Sequence, residues 1–199
     1  MSANLPPLVF ATNNANKLAE VQAMLANEYR IVTLSDIGFY DDIPEPYPTF
    51  RGNAWTKAQT VFEQTGYDCF AEDTGLVVDA LQGEPGVLSA RYAGEPSNAR
   101  NNIELVLQRM QDITHRQARF VTVIALLQKG EIHYFEGTVE GTIRHEASGE
   151  GGFGYDPIFQ PNGYTITFSE MPKSEKNRIS HRAKAVAQLV DFLKKTTAE

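Results

Sequence analysis

Apolar residues recur along the chain in two rhythms. Leu8–Ala11 ("LVFA") is an unbroken apolar run that reads as a buried strand, and it runs straight into the polar loop "TNNANK". Beyond that loop Leu18, Val21 and Leu25 recur at helical spacing, so strand, polar loop and helix follow in order. "YRIVTL" predicts a second strand. Between Ser35 and Thr49, Pro44, Pro46 and Pro48 exclude regular helix. Asn53 is then placed to cap a helix whose Trp55, Ala58 and Phe62 form an apolar stripe. "CFAEDTGLVVDAL" reads as a strand, a turn at Thr74-Gly75 and further apolar chain, followed by the loop-rich "QGEPGVLSARYAGEPSN". Asn98 opens a helix with Ile103, Val106, Leu107 and Met110 on one face. "ARFVTVIALLQKGEIHYFEGTVEGTI" predicts two long strands joined as a hairpin at Lys129-Gly130. After the glycine cluster "SGEGGFGYDPIF", Ser180 is placed to cap a last helix packed through Val186, Leu189 and Leu193. Helices and strands interleave early, a meander dominates later, and no repeat or linker interrupts them. The pattern predicts one α/β domain, residues 1–199, on a mixed sheet.

Composition narrows the function. The 199 residues suffice for a sizeable core, and 42% apolar with 22% charged residues is ordinary for a globular protein. A net charge of −7 argues against a general polyanion binder, so nucleic acid is not an expected partner. A small anion stays compatible, because local basic clusters can outweigh global charge. The single cysteine, Cys69, cannot make an intrachain disulfide and reads as a small buried hydrophobe. No apolar run approaches the ~20 residues that span a bilayer. "MSANLPPLVFATNN" lacks the charged start and apolar region of a signal peptide, so a cytoplasmic location without a membrane partner is expected.

Four stretches carry candidate chemistry. "TNNANK" (Thr12–Lys17) sets backbone N–H groups and a helix start at one point, with Lys17 adding a positive charge; both favour an anion, though the Walker pattern is absent. Glu72 and Asp73 are adjacent in a strand, so their side chains face opposite sides. They read either as solvated turn acids or, with Glu45, as carboxylates for Mg²⁺, which takes few carboxylates plus phosphate oxygens. In "GGFGYDPIF", Phe153 and Tyr155 are either anchors of a tight turn or rings presented to a planar base. "KSEKNRISHR" gathers Lys173, Lys176, Arg178, His181 and Arg182, either as a solvated basic helix start or as donors to a keto oxygen and phosphates. No zinc spacing and no G-x-S-x-G elbow is present. Anion loop, metal acids, flat ring and basic donors together are what a nucleoside triphosphate requires.

"FATNNANKLAEV", "AEDTGLVVDAL", "PGVLSARYAG", "GGFGYDPIF" and "SEKNRISHRAKA", in order from Leu8 to Leu193, resemble the Ham1-like inosine triphosphate pyrophosphatases. The resemblance implies hydrolysis of ITP, dITP and XTP to the monophosphate and pyrophosphate with Mg²⁺. It also implies an elongated mixed sheet, two lobes around an active-site cleft, and a homodimer. By position it sets Thr12, Asn13, Asn14 and Lys17 on the triphosphate, with Lys57 reaching the phosphates and Thr74 among the binding residues. Glu45 matches the metal-binding glutamate, Asp73 the acid that activates water, and Glu72 a supporting acid at the metal. Phe153, Gly154, Tyr155 and Asp156 match the base pocket, and Lys176, His181 and Arg182 the residues meeting the 6-oxo edge and phosphates. The chain departs from the pattern at Gly52, where many members carry a glutamate, and at Tyr155, where some carry Trp. Two rival functions stand beside this one: a nucleotide sensor without turnover, and a pyrophosphatase preferring modified pyrimidines.

Overall fold

A computed structural model describes residues 7–25 and 28–197. Residues 1–6, the start of the stretch read as lacking a signal peptide, lie outside the described residues, as do both ends of the predicted 1–199 domain. Among the described residues six strands form one mixed sheet in the order β2-β1-β3-β4-β5-β6. They are β1 (Pro7–Phe10), β2 (Arg30–Val32), β3 (Cys69–Val78), β4 (Gln117–Gln128), β5 (Glu131–Ile143) and β6 (Phe159–Pro161). β1 runs parallel to β2 and β3, with Leu8 opposite Ile31 and Val9 opposite Cys69. β6 pairs antiparallel with β5. The helices are α1 (Ala15–Leu25), α2 (Phe50–Thr65), α3 (Ala99–Arg109), α4 (Lys173–Ile179) and α5 (His181–Thr197). The α/β class and mixed sheet expected from the sequence are borne out.

Chain contacts divide into two compact units. The first comprises the chain up to Asp73, Val123–Glu136, and the chain from Arg182 onward. Its strands are apolar on both faces, and the two-residue period sorts alternate side chains into two cores. Leu8, Phe10, Phe70, Ile124 and Leu126 pack with Val21 and Leu25 of α1 and with Val186 and Leu189 of α5. Phe10 stacks on Phe70 with ring centroids 4.4 Å apart. Val9, Ala11, Cys69, Ala71 and Ala125 turn the other way, onto Ala54, Ala58 and Val61 of α2. Each fully buried Leu or Phe here contributes roughly 1.5–3 kcal/mol. Cys69 is part of this second core, and its Sγ donates to the Ala58 carbonyl.

The second unit, Thr74–Thr122 with Gly137–His181, has a core of its own. Leu76 and Val78 of β3, Val106 of α3 and Met110 at its C-terminal cap, and Phe120, Val139, Ile158, Phe159 and Phe168 fill it. Arg116, also buried, donates to the carbonyls of Met110, Ile113, Ile143 and Arg144.

Several local expectations hold. Asn98 caps α3 through its side chain, which accepts from Asn101 N–H. Lys129 and Gly130 both have positive φ, 52° and 81°, as a two-residue hairpin turn between β4 and β5 requires. Two expectations are corrected. The cap of α2 is Thr49, whose side chain accepts from Gly52 N–H; Asn53 lies inside the helix and is fully buried. Thr74-Gly75 is no turn but the middle of β3. Thr74 Oγ1 shares a 2.7 Å hydrogen bond with Thr122 Oγ1, and Leu76 and Val78 continue the alternation into the second core. A glycine permits a turn without forcing one, and packing on the following apolar residues outweighs its weak strand preference.

Candidate active site

The alternation that sorts the core also sorts the acids in the middle of β3. Glu72 follows the parity of Phe70 and Asp73 that of Ala71, so their side chains leave the strand on opposite faces. Both are buried, 2% and 4% exposed.

Glu72 meets α1 and α5. Arg182, in the first turn of α5 and fully buried, donates from Nε to Glu72 Oε2 at 2.9 Å and from Nη2 to Oε1 at 2.8 Å. Its Nη1 donates to Glu20 of α1. Lys17, one turn before Glu20, places Nζ 3.3 Å from Glu72 Oε1. Two cations and two carboxylates thus form one chain, buried at Glu72 and Arg182 and half-buried at Lys17 and Glu20. Burial pulls the Arg182 pKa down, but Glu72 and Glu20 together outweigh it and hold it above the ordinary value. Lys17 is lowered, chiefly by burial, against the pull of Glu72.

Asp73 meets α2. Lys57 Nζ stands 2.7 Å from Glu45 Oε1 and 3.4 Å from Asp73 Oδ1, one ammonium between two carboxylates. Asn53 Nδ2 donates to Asp73 Oδ2 at 3.2 Å. The Asp73 pKa is raised, first by burial and then by Glu45, with Lys57 opposing. A buried carboxyl with a raised pKa is a stronger proton acceptor than an ordinary aspartate.

The loop after β1 is turned in on itself. Asn14 Oδ1 accepts from Asn16 and Lys17 N–H at 3.0 and 3.1 Å, and Thr12 Oγ1 accepts from Asn14 N–H at 3.2 Å. Asn13 is exposed.

In the second unit, Asp156 organises the glycine-rich loop. Its Oδ2 accepts from Phe153 N–H at 2.8 Å and from Lys176 Nζ at 2.6 Å. Lys176 Nζ also lies 4.9 Å from the centre of the Phe153 ring. Gly154 takes positive φ. The Tyr155 ring belongs to the core, with its hydroxyl donating to the Ser89 carbonyl at 2.8 Å. His181 is buried and stacks on Phe120 at 4.7 Å.

The structure therefore brings together Lys17, Glu72 and Arg182; Glu45, Lys57 and Asp73; and Phe153, Asp156 and Lys176. It pairs Glu72 with Arg182 and Lys17, and Lys57 with Glu45 and Asp73. Among the described residues no group of three or more His, Cys, Asp or Glu is gathered to hold a metal. The oxygen pair of Glu45 and Asp73, already matched to one cation, still fits Mg²⁺, which takes one or two carboxylates and completes its shell with water and phosphate oxygens. At Gly52 a Cβ would lie 2.6 Å from Tyr47 Cβ, so an acid there requires Tyr47 to move. Sequence reading missed Glu20 and the bonded role of Asn53. The signal for Asn53 was its spacing, a polar residue one turn before Lys57 on the face that buries Ala54 and Ala58.

The frame is a mixed α/β sheet that buries two adjacent carboxylates, each paired with a lysine. The chain belongs to the Ham1 family, whose model matches residues 8–192. It is 54% identical over 187 residues to a dITP/XTP pyrophosphatase of Porphyromonas gingivalis, covering 94% of this chain and 96% of that one. A Flavobacterium psychrophilum protein of the same name is 51% identical, covering 94% and 98%. A Ham1 protein of Staphylococcus aureus superposes with a TM-score of 0.87 at 37% identity, covering 96% of this chain and 99% of that one. One from Coxiella burnetii gives 0.88 at 38% identity, covering 96% and 100%.

Proposed function

We propose that this chain hydrolyses non-standard purine nucleoside triphosphates, ITP, dITP and XTP, to the monophosphate and pyrophosphate, and so clears them from the nucleotide pool. The observation that carries the reading is the buried Asp73, its pKa raised, crossed with Glu45 through Lys57. The names of its relatives supply the substrate class.

Asp73 takes a proton from a water whose oxygen bonds to the α-phosphorus. The bond from that phosphorus to the α,β-bridging oxygen breaks, and pyrophosphate leaves with the electron pair. Glu45 and Asp73 would hold Mg²⁺, which when bound offsets negative charge on the phosphates and the leaving group. Lys57 and Lys17 add positive charge toward the same oxygens, with Thr12, Asn13, Asn14 and Thr74 beside the triphosphate. Phe153 stacks on the purine, Gly154 lets the loop approach it, and Lys176 and His181 donate toward the 6-oxo edge. Tyr155 and Asp156 support that loop. Arg182 holds Glu72, and through it Lys17.

Adenine offers an amino donor at position 6, which would leave buried donors unpaired, and such a mismatch discriminates strongly. The chain works in this reading as a homodimer in the cytoplasm; among the described residues no helix is long and apolar enough to cross a membrane. Pyrophosphate release with Mg²⁺ is measured for ITP, dITP, XTP, dUTP, modified pyrimidine nucleotides and the four standard triphosphates. Preference for the 6-oxo purines supports the proposal. Binding without release would identify a sensor, and a pyrimidine preference the rival hydrolase.

A further inference from the structure

Asn53 makes two bonds that its place in a helix interior does not require. It is fully buried in α2, one turn before Lys57, and the Thr49 side chain already caps the helix. Its Oδ1 accepts the backbone N–H of Tyr47 at 2.9 Å, in the proline-rich loop two residues beyond Glu45. Its Nδ2 donates to Asp73 Oδ2 at 3.2 Å. Lys57, four residues on and so on the same helix face, makes a parallel pair of contacts, to Glu45 Oε1 and Asp73 Oδ1. The Glu45 loop and the middle of β3 are thus tied to α2 twice, once by an ammonium and once by a neutral amide.

The two ties respond differently to a charged ligand. Phosphate oxygens or a cation compete for the ammonium and for the carboxylate oxygens it holds. The amide carries no charge to be drawn away, and it grips the other oxygen of Asp73. Simple space filling does not account for it, because Ala54 and Ala58 serve that purpose on the same face with no polar group at all.

We infer that Asn53 is a positioning residue for the hydrolysis proposed above: it fixes the rotation of the Asp73 carboxylate and keeps the Glu45 loop in register when Lys57 turns toward substrate. The inference rests on that proposed activity.

The test compares wild type, Asn53→Ala and Asn53→Asp. Asn53→Asp keeps the shape and the acceptor for Tyr47 but gives Asp73 no amide donor, and it remains informative if the alanine variant does not fold. The kcat and KM for dITP with Mg²⁺ are measured. Binding of a non-hydrolysable α,β-imido analogue of dITP is followed by calorimetry, and folding by thermal melting. A small misplacement of a reacting group costs about 10²-fold, so each folded variant is expected to lose roughly 10–100-fold in kcat. KM and analogue affinity should stay within about threefold, since the loss falls on the reacting geometry and not on ground-state binding. A folded variant with wild-type kcat overturns the inference. So does a loss of kcat matched by an equal loss of analogue binding, which marks Asn53 as structural only. Failure of wild type itself to turn over dITP overturns the hydrolase reading instead, and Asn53's role with it.

Discussion

Arg182 grips Glu72 with two nitrogens, Nε at 2.9 Å and Nη2 at 2.8 Å, although 110 residues separate them. Neither side chain reaches solvent, and Glu20 occupies the remaining side of the guanidinium. Removing one partner of such a pair leaves an uncompensated buried charge. Arg182→Ala should therefore lower unfolding free energy by about 3–5 kcal/mol, read from urea denaturation. A loss below about 1 kcal/mol, the size of an exposed pair, would show that the network is solvated in solution.

Asp73→Asn separates activity from stability. The turnover number should fall by roughly 10²–10⁴-fold, the usual contribution of a general base. Stability should not fall with it. The folded Asp73 pKa is raised, so the native state favours the protonated acid, and the ionised form opposes folding. Relative to Asp73→Asn, wild type is most stable below the ordinary aspartate range near pH ~4, and it loses that advantage as pH rises through the raised native value. Paired melting curves across pH check this; a pH-independent difference would refute the buried, ionisable Asp73.

Gly152→Ala should disable the loop that carries Phe153. Gly152 has φ +71°, and a Cβ there would collide with the Asp156 carboxylate that holds both Phe153 N–H and Lys176. Backbone strain of this kind costs about 1–3 kcal/mol before any clash is counted. The expected result is a raised KM for dITP with a smaller effect on kcat, because Asp73 is untouched. An unchanged KM would remove this loop from base binding.

Cys69 should be inert while the protein is folded. Burial, reinforced by Asp68, pushes its thiol up to about 12. Reagents attack the thiolate, so labelling at pH 8 should be slower than for an ordinary thiol by roughly a thousand-fold, and should recover in urea. The sign for stability follows: native burial of the neutral thiol helps folding below the ordinary thiol pKa, and that help is lost as pH climbs toward about 12. Fast labelling of native protein would show that β3 opens.

Much of this site is parity and spacing, which a sequence displays directly. The apolar run Leu8–Ala11 and the period of Leu18, Val21 and Leu25 declare β1 and α1, because both elements bury what they show. Lys129-Gly130 declares its hairpin through local backbone preference. The start of α2 was less legible, since Thr49 and Asn53 are both capping residues four positions apart and only packing decides which is buried. The continuity of β3 was hidden by Thr74-Gly75 for a similar reason. The neighbours that keep the chain extended, among them Thr122, lie far along the sequence.

Adjacency in a strand was enough to determine that Glu72 and Asp73 face apart, because the side-chain period of an extended backbone is two. The partners were not determined that way. Which face receives Arg182 and Lys17 and which receives Lys57 depends on where α1, α5 and α2 pack, and that follows from how two apolar cores divide the faces of β1 and β3. Tertiary packing thereby gave Glu72 a buried guanidinium and Asp73 an ammonium and an amide, and so set adjacent acids of similar intrinsic strength in different surroundings.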